Sequence, residues 1–248
     1  MRTIAIWAAA GLLGALAQVG SAPAALAQTV FKAYSEIALR AEAPFPKWEG
    51  VRERVAAEAA AVAGCLRGEA CAPLAADIAR RIQGLAAEPP LAQAEAVHRL
   101  INARPYREDQ RQFGRRDVWQ APFAFWGQGG DCEDYAIAKY MALSALGFAP
   151  EQLRLTVLTS RTRQEVHAVL LIEIDGAWYV ADNLRRSLHV LDRYEGWKPL
   201  FSVSDAGAWR YVARPLVQPE ELAGGAPAAD LEPAVQRLAQ SEPNRSRF

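Results

Sequence analysis

The sequence predicts an α+β fold in which helices come first and an antiparallel β-sheet follows. Apolar residues recur at helical spacing between about residues 48 and 104. A second helical pattern starts at Cys132, and strand-like segments with a strong turn signal follow it. With 248 residues the chain is long enough for one sizeable core, so we expect one main domain.

The first helical region contains two or three segments. Ile78 and Ile82 recur on one helical face, and Pro73 and Pro89 divide the region, because proline removes an amide donor and clashes with the preceding turn. His98 lies in the last segment. We expect it at the surface or packed rather than as a metal ligand, since no second metal-binding side chain sits at helical spacing from it.

The stretch between Tyr106 and Gln128 is irregular and rich in aromatic residues. Its aromatic members include Phe113, Trp119, Phe123, Phe125 and Trp126. Such a stretch can wall a binding cleft or cover the core. Both interpretations stay open, because aromatic side chains dominate packing wherever they occur.

The next segments predict a central helix followed by three strands. Ile137, Met141 and Ala145 repeat every four residues after Cys132, and Gly147 marks the expected helix end. The predicted strands cover residues 153–159, 167–174 and 177–183. The expected architecture is therefore N-terminal helices and then a central helix packed on an antiparallel sheet.

A tight hairpin between the last two strands brings two chemically active side chains together. Asp175-Gly176 is a strong signal for a two-residue type I′ turn, whose positions need positive φ. Such a turn pairs Ile174 with Ala177 and places His167 and Asp182 on one face as diagonal neighbours. The carboxylate can then accept from one ring nitrogen and leave the other free for a thiol.

Cys132 supplies that thiol at the start of the central helix. Its position behind Gly129-Gly130 allows a tight bend, and the helix N-terminus is expected to favour the thiolate. Nucleophile, base and orienting acid would then be Cys132, His167 and Asp182. The structural alternatives are a small buried cysteine and a turn aspartate, although an aspartate in a buried strand is costly without a partner.

The motifs "GGDCEDYAIAKY" and "HAVLLIEIDGAWYVADN" resemble the bacterial transglutaminase-like cysteine peptidases, specifically the periplasmic LapG-type proteases. The resemblance runs from about Trp48 to Trp209 and implies a papain-like/transglutaminase-like fold. It also implies that Cys132 is the nucleophile, His167 the general base and then acid, and Asp182 the residue that orients the histidine. Members of this family cut near the N-terminus of a large surface adhesin. They are controlled by an inner-membrane receptor that reads cyclic di-GMP.

Three acids, Asp131, Glu133 and Asp134, surround the cysteine. Acids in the first turn favour a helix, so capping is one explanation. A bound calcium ion is the other, although three acids alone do not provide the roughly six to eight oxygens that calcium takes. The resemblance adds to the second explanation, because LapG-like proteases are calcium-dependent and their acids flanking the nucleophile match Asp131 and Glu133.

The N-terminus predicts export. A positive start at Arg2 leads through an apolar stretch to Ala25-Leu26-Ala27, a small-x-small cleavage pattern. An uncleaved anchor is the alternative, but the stretch from Ile4 to Ala17 is shorter than the roughly 20 residues of a spanning helix. We expect a signal peptide over residues 1–27, a peptidase domain over 28–213 and a weakly ordered tail over 214–248, with the mature chain soluble in the periplasm.

Cysteine content and charge narrow the chemistry further. Cys65 and Cys71 can bridge a short turn in an oxidising compartment, or they are merely small helix residues. The 28 basic residues balance the 28 acidic ones, so neither nucleic-acid binding nor a polybasic membrane patch is indicated. His189 and Arg185-Arg186 fit a solvated loop, or they steer an acidic substrate or the receptor.

Two rivals to a peptidase remain open. The same three residues can pass an acyl group to an amine, as in transglutaminases. Alternatively, an intact Cys132, His167 and Asp182 can belong to a binding module without catalysis.

Overall fold

The computed structural model describes residues 30–39, 45–160 and 165–214. The predicted signal peptide and all but the first residue of the predicted tail lie outside these ranges. Within them, no helix combines the length and the apolar character needed to cross a membrane.

Helices dominate the first half of the described chain. The first three correspond to the predicted helical region, and two short ones lie in the aromatic stretch that was predicted to be irregular. Four of the six begin with proline at the first helical position, where its missing amide hydrogen costs nothing. The helices are α1 (Pro46–Leu66), α2 (Pro73–Gln83), α3 (Pro90–Asn102), α4 (Asp109–Phe113), α5 (Pro122–Gln128) and α6 (Cys132–Ala145).

Seven described strands form one antiparallel sheet in the order β1-β7-β6-β2-β3-β4-β5. The three predicted strands are β2, β3 and β4, and the other four were not predicted. The strands are β1 (Tyr34–Ala38), β2 (Leu153–Ser160), β3 (Val166–Ile174), β4 (Ala177–Ala181), β5 (His189–Val190), β6 (Trp197–Ser204) and β7 (Gly207–Ala213).

Helix α6 is the centre of the core. Every residue from Glu133 to Leu143 is buried, because the helix packs on β2 and β3 on one side and on α1, α3 and α5 on the others. A helix enclosed in this way can be apolar around most of its circumference. Its first residue, Cys132, is thereby fixed relative to the sheet.

The structure confirms one sequence prediction about local geometry and decides between two interpretations that the sequence left open. Asp175 and Gly176 have φ values of 52° and 79°, and Ile174 pairs with Ala177 across the turn. Cys65 and Cys71 form a disulfide that joins the end of α1 to the residues before α2.

Candidate active site

Cys132 opens α6 at the side of a cleft of about 720 Å³. The thiol is partly exposed and is the free cysteine of the described chain. His167 and Asp182 line the same cleft, together with Tyr106 and Trp197. The structure therefore brings the three predicted catalytic residues to one cleft.

The two glycines before Cys132 are required by close backbone packing. Gly129 has a φ of 81°, and a Cβ there would clash with the carbonyl oxygen of Pro105. A Cβ on Gly130 would clash with the carboxylate of Asp134. The carbonyl of Gly130 also accepts a 2.8 Å hydrogen bond from the Arg107 amide, which fixes the segment leading into the helix.

Asp134 braces this segment from inside the protein. Its Oδ1 accepts the backbone amide of Gln120 at 2.8 Å, and its Oδ2 accepts the Gln120 side-chain amide at 2.5 Å and the Asp131 amide at 3.3 Å. Burial raises the pKa of this fully enclosed carboxyl to about 7. Asp134 is thus engaged in helix capping, which was one of the two predicted explanations for the acids.

His167 and Asp182 form the contact that the hairpin register predicts. Nε2 of His167 lies 2.7 Å from Oδ1 of Asp182. Burial raises the pKa of Asp182, but the hydrogen bond and charge of His167 outweigh it, helped by the Leu184 amide and the Tyr194 hydroxyl, so that its pKa is lowered overall. An ionised carboxylate only accepts, so Nε2 carries the hydrogen and Nδ1 is the nitrogen available to a thiol.

The surroundings of the thiol differ from the sequence prediction. Burial raises the pKa of Cys132, and the charge of Glu133 raises it further, whereas the Ala168 amide lowers it by hydrogen-bonding the sulfur. The thiol donates to the Glu133 carboxylate at 3.2 Å. The expected preference for thiolate is therefore wrong for this arrangement, because burial, reinforced by the charge of Glu133, favours the neutral thiol.

A fourth acid, Asp109, joins the group predicted around Cys132. One oxygen each of Asp109, Asp131 and Asp134 lie within 4.8 Å of one another. Oδ1 of Asp109 and Oδ1 of Asp131 are buried and accept no hydrogen bond from any described residue. Glu133 lies outside that trio, but its carboxyl contacts that of Asp131.

These carboxylates fit a hard cation. Buried oxygens without donors are costly, and calcium takes carboxylate oxygens as ligands. Burial raises the pKa of both Asp131 and Glu133, and Asp131 raises that of Glu133 further. Asp109 and Asp131 each have an unpaired oxygen to offer, and Glu133 lies beside Asp131, whereas both oxygens of Asp134 already accept amides.

Helices α3 and α6 support the chain on either side of Asp182 through backbone carbonyls. His98 Nε2 and Asn102 Nδ2 each lie 3.0 Å from the Arg185 carbonyl oxygen, and Lys139 Nζ donates to the Ala181 carbonyl at 3.0 Å. His98 is packed, which was one of its two predicted environments. Sequence reasoning did not assign Asn102 or Lys139 to the site.

A cysteine at a helix start that shares one cleft with a histidine–aspartate contact at an antiparallel sheet is the arrangement of the transglutaminase-like class of cysteine peptidase folds. The chain belongs to the bacterial transglutaminase-like cysteine proteinases, since the profile of that family matches residues 67–214. The α+β class and the family resemblance predicted from the sequence are confirmed.

Solved structures of Legionella pneumophila LapG share this fold. One is 26% identical with a TM-score of 0.51, and the match covers 61% of this chain and 87% of that one. Calcium-bound LapG matches with the same TM-score of 0.51 over 74% of this chain and 99% of that one, but at 24% identity it shows the fold alone. A direct sequence search of curated proteins finds no match.

Proposed function

We propose that this protein is a periplasmic cysteine endopeptidase that cuts the N-terminal region of a large surface adhesin. Cleavage would release the adhesin and promote detachment of a biofilm. The observation that carries the catalytic part is the 2.7 Å contact between His167 and Asp182 in the cleft that Cys132 lines. Family membership supports peptide-bond hydrolysis.

The proposed reaction starts with proton transfer from Cys132 Sγ to Nδ1 of His167. The sulfur then attacks the peptide carbonyl carbon, and backbone amides in the first turn of α6 stabilise the oxyanion. The imidazolium gives its proton to the departing amine, and a thioester remains. Water, losing a proton to His167, hydrolyses the thioester and regenerates the thiol.

Asp182 has two roles in this scheme. It keeps the hydrogen of His167 on Nε2, so that Nδ1 can accept, and its charge stabilises the imidazolium that forms. The raised pKa of Cys132 makes this assistance necessary, since little thiolate exists without a base.

Asp109, Asp131 and Glu133 are the residues that would hold calcium in this proposal. The ion would supply positive charge that offsets the acids around the nucleophile. Two observations support the assignment, namely the unpartnered buried oxygens of Asp109 and Asp131 and the calcium-bound state of a protein with this fold.

The adhesin substrate, the cyclic-di-GMP-reading inner-membrane receptor and the periplasmic location rest on the LapG-type resemblance and on the signal pattern at residues 1–27. Arg185 lies exposed on the cleft lining, where it can contact an acidic part of the substrate.

The test mixes wild type and Cys132→Ala with candidate adhesin N-terminal fragments, with and without EGTA. Wild type should cut, and the variant and the chelated sample should not, with activity restored by calcium but not by magnesium. Cutting by Cys132→Ala would refute the nucleophile, and cutting in EGTA would refute only the metal assignment. Transfer of a labelled amine to a glutamine peptide without backbone cleavage would establish the acyl-transfer alternative.

A further inference from the structure

Two aromatic residues that the proposed reaction does not use contact the His167–Asp182 pair. Tyr194 contacts Asp182, and Trp197 contacts His167. Tyr194 follows the 3₁₀ turn Leu191–Arg193, and its hydroxyl donates to Oδ2 of Asp182 at 2.8 Å. The Tyr194 ring stacks on Trp197 with centroids 5.8 Å apart and planes 4° apart. Trp197 in turn lies against the His167 ring at 5.3 Å and 31°.

These contacts close a ring of four side chains. Each residue contacts its two neighbours in the ring by a hydrogen bond or a contact between aromatic rings. The order is His167, Asp182, Tyr194, Trp197 and back to His167. The four residues come from β3, the position just after β4, the turn before β6 and the first position of β6. Separate elements thus hold the pair from more than one direction.

The Tyr194 hydroxyl supplies the partner that Oδ2 of Asp182 needs. The other oxygen, Oδ1, already accepts from His167 at 2.7 Å and from the Leu184 amide at 2.9 Å. Asp182 is only 1% exposed, so water cannot easily replace a lost donor. Donors on both oxygens fix the rotation of the carboxylate about its terminal bond, which aims Oδ1 at Nε2.

Trp197 restricts the imidazole of His167. The indole ring packs at a tilt of 31° against the imidazole, and this contact opposes rotation of the His167 ring. Burial raises the pKa of Tyr194, and the Asp182 charge raises it further, so the hydroxyl keeps its proton and continues to donate at neutral pH.

We propose that Tyr194 and Trp197 are positioning residues for the peptidase reaction, holding the Asp182 carboxylate and the His167 ring so that Nδ1 faces the cleft. This inference rests on the proposed function, because it assigns roles within that reaction. It predicts that both residues act on the chemical step rather than on substrate binding.

Tyr194→Phe tests the hydroxyl while keeping the stacked ring. We expect kcat to fall roughly tenfold with KM unchanged, as for loss of a hydrogen bond to a charged group. Tyr211→Phe is the matched control, because its buried hydroxyl lies 2.8 Å from Ser202 Oγ and outside the cleft lining. The control should keep kcat even if it loses as much thermal stability. Equal kcat in Tyr194→Phe and wild type would overturn the hydroxyl's role.

A second readout needs no substrate. The proton on Nε2 of His167 is observable by NMR in protein with ¹⁵N-labelled histidine, assigned with His167→Gln. Its resonance should move or broaden by exchange in Tyr194→Phe and in Trp197→Ala, and it should stay in place in Tyr211→Phe. Trp197→Phe keeps a ring and should restore most of the wild-type signal. An unchanged resonance in both Tyr194→Phe and Trp197→Ala would overturn the inference.

The two readouts separate this inference from the proposed function. A wild-type protein that cuts no peptide refutes the peptidase, while the NMR measurement still decides whether the aromatic pair holds His167 and Asp182. Suppose instead that wild type cleaves, that Tyr194→Phe keeps full kcat, and that the His167 resonance does not move. This result would reject the positioning roles and leave the proposed peptidase function unaffected.

Discussion

Replacing His98 with glutamine should make the free energy of unfolding fall less as the pH is lowered. His98 is 1% exposed, its Nε2 donates to the Arg185 carbonyl, and its Nδ1 is buried without a partner among the described residues. Burial, reinforced by the Lys139 charge, lowers the pKa of His98 from 6.5 to about 4. Protonation of the His98 ring is therefore less favourable in the folded protein than in the unfolded chain.

The magnitude follows from the two pKa values. As pH falls below 6.5, the unfolded chain takes up a proton that folded His98 does not bind until about pH 4. This difference disfavours the folded state progressively and amounts to about 3 kcal/mol at the lower pH. Glutamine cannot take up the proton, and its side-chain amide can still donate to the Arg185 carbonyl.

Urea unfolding followed by tryptophan fluorescence measures this effect. The free energies of unfolding of wild type and His98→Gln should be compared at pH 8, 6, 5 and 4. Histidine is neutral in both states at pH 8, so that point is the internal control. Relative to the variant, wild type should lose about 3 kcal/mol between pH 8 and pH 4. A difference that does not change with pH would refute the reasoning.

Three other substitutions have defined outcomes. Gly130→Ala should abolish peptidase activity and lower the melting temperature, because the added methyl group clashes with Asp134; full activity would contradict the packing. Replacing both Cys65 and Cys71 with alanine should lower the free energy of unfolding by about 2 kcal/mol, as expected for a short loop, and no loss would argue against the disulfide's role. Burial lowers the pKa of Lys139 from 10.5 to about 7, so above pH 7 the unfolded chain keeps a proton on Lys139 that the folded protein has lost. Relative to Lys139→Met, wild type should gain about 4 kcal/mol between pH 7 and 10, and parallel pH curves would contradict this.

The sequence predicted the part of the site that local rules determine. Asp175-Gly176 specifies a two-residue turn, and the turn fixes the register that places His167 beside Asp182. The central helix was predictable because apolar residues continue from Cys132 with helical spacing. The disulfide was only one of two open interpretations, because cysteines six positions apart in sequence need not have bridging geometry.

Features made by distant contacts were not predictable. Asp109 meets Asp131 across 22 positions of sequence, and no local pattern marks that contact. The hairpin of β6 and β7 turns at Asp205-Ala206, which lacks the Asn-Gly or Asp-Gly signal. The raised pKa of Cys132 was not predictable either. The sequence shows that Cys132 begins a helix, but it does not show the burial that raises the pKa of the thiol.

Alkylation of Cys132 by iodoacetamide tests the central claim most directly, since intact-mass measurement counts modification of this one free thiol. The rate should be compared at pH 7, with calcium present, in wild type, His167→Ala and Asp182→Asn. If His167, oriented by Asp182, accepts the proton of the Cys132 thiol, either substitution should slow labelling at least about tenfold. Labelling of wild type no faster than of His167→Ala would contradict the claim.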